Sequence, residues 1–260
     1  MIPLDFSNVL IAIPSKARYD RILKYTAGWL INSKFVWKVF VEPHEAALYK
    51  RVVPAKNLVV IPEKDQGMHA VLNRIGQYAR SRGYSYILKI DDDCKGFAVY
   101  PDLGSPSANL EHVLLDILPD FCAEDDLGGV RFIQKRFWLY RKKDPKRYSH
   151  KNKPLWGISL YRATAWPELP AEVNHFDDTI HSLLMWRDGW TTKTYCKAGV
   201  DVLQNAGKGG HYSFNRNEMA TKAIQYMIDN GFPLCKFKPN TNAGIGVDID
   251  ISAYDKGCCI

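Results

Sequence analysis

No apolar run in this chain approaches the roughly 20 residues that a bilayer-spanning helix needs, so no membrane span is expected. The opening stretch MIPLDFSNVLIAIPSK carries Asp5 where a secretion signal has a basic region, so no signal peptide is expected either. The closing GCCI sets its cysteines one place off a prenylation box. None of the six cysteines (94, 122, 196, 235, 258 and 259) stands in a CxxC, which argues against a zinc site. Without a secretion signal they are expected as reduced thiols in a cytoplasmic protein. Internal repeats and low-complexity tracts are missing too, so residues 1–260 are expected as one domain. Acid is in short supply: 28 Asp and Glu against 35 Lys and Arg leave a net charge of +7, which points to a polyanionic partner such as nucleic acid. With 46% hydrophobic and 24% charged residues, the chain has the composition of a globular protein with a real core.

What is present first is an alternation of strands and helices. NVLIAIP (8–14) reads as a buried strand ended by proline, and a helix should follow with Ile22, Leu23, Trp29 and Leu30 on one face. FVWKVFVE (35–42) is a second strand, followed by a short helix in HEAALYKRVV, and NLVVIP (57–62) a third. After Gly67, the residues Met68, Val71, Leu72, Ile75 and Ala79 form one helical stripe, and YSYILKI (84–90) is a fourth strand. This order predicts a parallel sheet flanked by helices, in which ligands bind beyond the carboxyl ends of the strands. Pro14, Ser15, Lys16 and Arg18 follow the first strand, Glu42 the second, Asp65, Gln66 and Gly67 the third, and Asp91, Asp92 and Asp93 the fourth. Further on, helices are expected over 109–121, 176–189 and 217–231, and strands over 128–140 and 155–163.

Three adjacent carboxylates are costly unless a cation sits among them. On an extended strand end, Asp91 and Asp93 would face one side and Asp92 the other, so the first pair suits a hard divalent ion. The plainer alternative is a solvated acidic turn. Asp177 and Asp178 open a predicted helix, where they would serve as cap and first-turn acids or as a general base. Ser15, Lys16 and Arg18 begin a helix, a good position for a bound anion. Lys89, inside the fourth strand, has no assigned role. His211 lies among Gly207, Gly209 and Gly210, with Lys208 able to meet a phosphate. Residues 135–153, KRFWLYRKKDPKRYSHKNK, hold nine Lys or Arg and one acid, interleaved with Phe137, Trp138, Tyr140 and Tyr148. Charges that track phosphates and rings that stack on bases make Lys135, Arg136, Trp138, Arg141, Lys142, Lys143, Lys146 and Arg147 candidate nucleic-acid contacts. A solvated loop, or one that closes over a diphosphate, would have the same composition.

The sequence of features resembles the GT-A glycosyltransferases, which use nucleotide-sugar donors. The matching positions are Asp91 and Asp93 for the Asp-x-Asp, Trp156 and Gly157 for the glycine segment, Asp177 and Asp178 for the second acidic pair, and His211 for the late histidine. More closely, IAIPSKARYDR, DQG, KIDDDCKGF and FDDTIHSLLMWRDGW resemble the TET/JBP-associated glycosyltransferases of phages and kinetoplastids, whose assigned substrates are hydroxymethylated pyrimidines in DNA. The resemblance implies an α/β fold with a mostly parallel sheet and a smaller mixed acceptor-side region, residues 1–96 holding the donor and 97–260 the acceptor. It further implies a UDP-sugar donor, Mn²⁺ or Mg²⁺ on Asp91, Asp93 and His211, and Asp178 as base with Asp177 beside it. Donor contacts would come from Pro14, Ser15, Lys16, Arg18, Glu42, Asp65, Gln66, Gly67, Asp91, Asp92, Trp156, Gly157 and Lys208. The acceptor would be 5-hydroxymethylcytosine in double-stranded DNA, in the host cytoplasm for a phage enzyme. Competing expectations are a GT-A enzyme acting on protein or glycan, a nucleotidyltransferase, and a silent DNA-binding module that kept the fold.

Overall fold

The computed structural model describes residues 6–64, 66–135, 147–173, 176–203, 216–232, 234–240 and 244–249. The first four strands are β1 (Val9–Pro14), β2 (Val36–Val41), β3 (Leu58–Val60) and β4 (Tyr86–Lys89). They pair in parallel in the order β3-β2-β1-β4. The chain therefore steps outward from β1 to β3 and then returns to β4 on the other side of β1. That reversal opens a crevice between the carboxyl ends of β1 and β4, where Pro14 and Asp91 lie.

The second half extends the sheet differently. Strands β5 (Cys94–Ala98), β6 (Leu127–Gln134), β7 (Tyr148–Lys151), β8 (Ser159–Arg162) and β9 (Thr191–Val202) continue it as β4-β8-β6-β9-β5, with β7 on β9. β8 runs antiparallel to both β4 and β6, β9 is parallel to β6, and β5 and β7 are antiparallel to β9. The expected parallel sheet holds for the first four strands, and the remainder is mixed. A separate hairpin joins β10 (Leu234–Asn240) to β11 (Gly244–Ile249).

Both faces of the sheet are covered. Alternation along β1 sends Val9, Ile11 and Ile13 to one core and Leu10 and Ala12 to the other. The first core is closed by α4 (Pro106–Ala123), capped by Ser105, whose hydroxyl accepts from the Ala108 N–H. The second is closed by α3 (Met68–Ser81), α5 (Asp177–Arg187) and α6 (Arg216–Asp229). The stripe expected on α3 is the buried one: Val71, Leu72, Ile75 and Ala79 all face the core.

Three expectations need correction. The helix after β1 is only Thr26–Leu30 (α1), and Leu23 is exposed. A Cβ on Gly28 would stand 1.9 Å from the Leu23 carbonyl, so the chain approaches itself too closely for a longer regular helix. The strand expected over 155–163 is confined to Ser159–Arg162, because Gly157 adopts φ +67 and breaks it. The 12-residue β9 was not expected at all, although its Thr191, Thr192, Thr194, Tyr195, Val200 and Val202 are strand formers. Another short helix, α2 (Ala46–Tyr49), follows β2. No helix among the described residues is long and apolar enough to cross a membrane.

Candidate active site

The crevice between β1 and β4 brings together residues distant in sequence. Past β1, the Ser15 hydroxyl donates to Asp92 Oδ2 at 2.6 Å and lies 2.6 Å from the Tyr49 hydroxyl of α2. Ala17 takes φ +55, and its N–H donates to Glu45 Oε1 at 2.7 Å. This turn is thus clamped from the β2 side by Glu45 and Tyr49, neither of which the sequence had marked. The Arg18 guanidinium lies 2.6 Å from Asp92 Oδ1 and 3.2 Å from Asp93 Oδ2. Burial opposes its charge, but Asp92, Asp93 and Asp91 together raise its pKa.

The three aspartates do not follow strand alternation. β4 ends at Lys89, and the chain then turns, with the Cys94 N–H donating to the Asp91 carbonyl at 3.3 Å. Asp92 and Asp93 consequently share Arg18, whereas Asp91 faces Lys89 and Gly157. Thr26 stabilises this turn by donating to the Asp91 carbonyl at 2.6 Å and accepting from the Cys94 N–H at 2.9 Å.

Behind β2, Glu42 accepts from Lys16 at 3.0 Å and from the Gly67 N–H at 2.7 Å. Burial alone would raise its pKa; Lys16 and the Gly67 N–H outweigh burial and lower it. Gly67 holds φ +100 as the residue that opens α3, and Gln66 stands exposed beside it. Asp65, Lys208 and His211 lie outside the described residues.

Across the crevice the second acidic pair meets the first group. Asp177 and Asp178 begin α5, but neither caps it; Phe176 in the left-handed region occupies the cap position. Asp178 instead reaches across the sheet. Its Oδ1 accepts from Lys89 Nζ at 2.6 Å and its Oδ2 from the Gly157 N–H at 2.9 Å. Lys89 Nζ also donates to the Gly157 carbonyl at 3.3 Å. A lysine 5% exposed therefore ties the fourth strand to Gly157 and α5. Burial works against its charge, but Asp178 and Asp91 outweigh it and raise its pKa. The sequence signal was a lone charge within an apolar strand, which a buried position tolerates only when paired.

Asp177 sits in a different electrostatic setting from its clamped neighbour. Burial, reinforced by the Asp178 charge, pushes Asp177 up to about 7, with Lys89 opposing. Asp91 is pushed up to about 6, again chiefly by burial, with Lys89 opposing and Asp178 adding to the rise. One carboxylate fixed by cation and amide, beside one that takes up a proton near neutrality, is an arrangement suited to proton transfer.

The carboxylates of Asp91 and Asp93 are the hard-oxygen type that a divalent cation takes, although Asp93 already faces Arg18 at 3.2 Å. No group of three or more His, Cys, Asp or Glu suited to a metal occurs among the described residues, so the rest of a shell would come from donor phosphates or water. Asp91 also lines a cleft of about 250 Å³ with Gln134, Trp156, Gly157, Val200 and Val202.

The basic segment is described only at its ends. Lys135 pairs with Asp201 at 3.2 Å, and Arg147 pairs with Asp116 and Asp120, both at 3.2 Å. Tyr148 donates to Asp120 and Tyr195 to Asp116, the latter at 2.6 Å. Both roots are thus fastened, one to β9 and one to α4. Arg136, Trp138, Arg141, Lys142, Lys143 and Lys146 lie outside the described residues.

Comparison with known proteins bears on the same residues. Among solved structures, GalNAc-T7 crystallised with UDP, GalNAc and Mn²⁺ is similar at a TM-score of 0.50 and 9% identity, over 85% of this chain and 47% of that one. The chain thus spans about half the length of that protein, and the likeness shows the GT-A fold alone. A197 from STIV (TM-score 0.38, 8% identity, 75% of this chain and 85% of that one) is a more distant match. So is 4-diphosphocytidyl-2C-methyl-D-erythritol synthase from Anaerococcus prevotii (TM-score 0.43, 10% identity, 86% of this chain and 98% of that one). Comparison with curated proteins found no match. The TET-associated glycosyltransferase family, in contrast, matches residues 9–210, a span that includes the β1 turn, the aspartates, Gly157 and the α5 acids. With most of its length matched and a GT-A fold, the chain belongs to the TET-associated glycosyltransferases.

Proposed function

We propose that the protein transfers a sugar from a UDP-sugar to the hydroxymethyl group of 5-hydroxymethylcytosine in double-stranded DNA. The observation that carries the reading is the clamp on Asp178: Lys89 and the Gly157 N–H fix a carboxylate next to Asp91, at the strand ends where a nucleotide would lie. The family supplies the reaction class, the association with TET proteins in its name supports a modified pyrimidine, and the nine basic residues of 135–153 suit a polyanionic acceptor.

The donor nucleotide would lie along the β1 turn, with Ser15, Lys16 and Arg18 exchanging their present acidic partners for base, ribose or diphosphate. Glu42 and Gly67 would close the far side. Asp178, its carboxylate oriented from both oxygens, would receive the proton of the attacking hydroxyl as it displaces the diphosphate with inversion. Asp177 would be the neighbour through which that proton equilibrates with solvent. Mn²⁺ or Mg²⁺ held by Asp91 and Asp93 would offset charge on the leaving diphosphate.

The test is mass spectrometry of nucleosides from hydroxymethylcytosine DNA incubated with protein, Mn²⁺ and a panel of UDP-sugars. A hexose adduct on hydroxymethylcytosine, and none on unmodified DNA, is expected. Transfer only to a glycan or protein acceptor would overturn the DNA assignment, and a nucleotide adduct would overturn the reaction class.

A further inference from the structure

The cleft beside Asp91 is lined chiefly by apolar and aromatic side chains, a lining suited to a planar ring more than to phosphate. On one side stands Trp156, 57% exposed, a high value for an indole. The ring is nevertheless fixed: its Nε1–H donates to the Thr179 hydroxyl at 3.2 Å, and the Arg131 guanidinium lies 5.5 Å from its centroid. Arg131 is itself held by the Thr194 hydroxyl at 2.8 Å and the Pro154 carbonyl at 3.1 Å. Ile158, Val200 and Val202 give the cleft apolar lining. Its lining also includes Gln134, whose Oε1 is buried without a hydrogen-bond partner among the described residues. A buried amide oxygen left unsatisfied costs about 1–3 kcal/mol, which a ligand donor would recover.

We infer that this cleft receives the acceptor as a single extruded pyrimidine, with Trp156 as the stacking face and Gln134 as the group that reads the base edge. A rigid exposed indole, apolar lining and one unpaired amide are the parts that hold a planar heteroaromatic ring. The position fits the chemistry: Trp156 precedes Gly157, whose N–H holds Asp178, and Thr179 follows Asp178. A base lying on the indole would thus bring its 5-substituent towards the clamped carboxylate. Trp156, expected from the resemblance to contact the donor, is assigned here to the acceptor. The inference rests on the proposed DNA acceptor but can fail independently of it.

The experiment compares wild type, Trp156→Ala, Trp156→Phe and Gln134→Ala in equilibrium binding of UDP and of a single-stranded oligonucleotide with one hydroxymethylcytosine. The single strand removes the cost of unpairing. In Trp156→Ala, oligonucleotide affinity should fall roughly ten-fold or more, as loss of one base stack does. Trp156→Phe should restore most of it, and UDP affinity should not move. Gln134→Ala should bring the affinities for hydroxymethylcytosine and hydroxymethyluracil oligonucleotides together. Unchanged oligonucleotide binding in Trp156→Ala, or loss of UDP binding in its place, would overturn the assignment, as would no oligonucleotide binding by wild type. Trp156-dependent binding without sugar transfer would keep the base site and remove the transfer reaction. Transfer that is indifferent to Trp156 would do the reverse.

Discussion

Replacing Lys89 by Met tests the centre of the site in one step. Methionine keeps the length of the side chain but removes the cation that faces Asp178 at 2.6 Å and opposes the rise of Asp91 and Asp177. Removing one partner of a buried pair costs about 3–5 kcal/mol, because the other charge remains. Asp178 keeps 26% of its side chain exposed, so the low end of that range, about 3 kcal/mol, is expected. A double-mutant cycle isolates the pair: Asp178→Asn removes the stranded charge while its amide oxygen still accepts from the Gly157 N–H. The double variant should recover part of the loss, with a coupling of roughly 1–3 kcal/mol from urea denaturation. The loss should also depend on pH. The folded-state pKa of Asp177 is raised to about 7, so the folded protein binds an extra proton between about pH 4 and 7. Stability from this group is therefore greatest at low pH and is lost as pH rises through 7. At pH 5 a protonated Asp177 leaves one fewer uncompensated charge, and Lys89→Met should cost less than at pH 8. Additive effects within about 0.5 kcal/mol, or a pH-independent loss, would refute the view that Lys89 holds the acids together.

Two other positions give separable predictions. His181 is 1% exposed, packed edge-on against Tyr161 and Trp166, and burial pushes its pKa down to about 3. Its stability contribution is complete above about pH 6.5 and is lost as pH falls towards 3; by pH 5 the unfolded state gains about 2 kcal/mol from protonation, and His181→Phe should remove that component from the acid side of the urea-midpoint profile. Gly157→Ala should cost about 1 kcal/mol for its left-handed φ, yet lower transfer by more than its urea midpoint indicates, because relief of that strain would move the N–H that holds Asp178 Oδ2 at 2.9 Å; a loss of transfer in proportion to folded fraction would show that Gly157 serves only the backbone.

The first half of the fold was legible because its signals are local. β1 is apolar on every residue and α3 carries a helix stripe of the right period, which is how a buried parallel strand and a crossover must read. The second half was less so. β9 pairs with β5, β6 and β7 at once, and register shifts interrupt its pairing with each, so no single alternation runs through its 12 residues. The acids at the strand ends were visible as unusual composition, but their partners were not. Lys89 finds Asp178 across 89 positions, and Ser15 finds Asp92 across 77. Pairings of that separation are set by strand order, and strand order is not written in local periodicity. Alternation also misdirected the aspartates, since it applies only while the strand continues, and β4 stops at Lys89.

Charge compensation around those aspartates supplies the last prediction. Arg18 neutralises Asp92 and Asp93 together, and Lys89 neutralises Asp178, so the cations of the site are already shared among three acids. Burial nevertheless leaves Asp91, Asp93 and Asp177 with raised proton affinities, so further positive charge is favoured there. A divalent ion at Asp91 would supply it, and an ion that binds only the folded state stabilises by mass action. Mn²⁺ added to chelator-treated protein at 100 times its dissociation constant should therefore contribute about 2.7 kcal/mol and raise the thermal midpoint. Asp91→Asn should abolish that rise. In Asp93→Ala the rise should weaken while the metal-free midpoint hardly moves, because Asp92 still holds Arg18 at 2.6 Å. Transfer should be lost in both variants. A midpoint that ignores Mn²⁺ in wild type, together with full transfer in excess chelator, would mean that Arg18 and Lys89 alone balance the site and that no metal is needed.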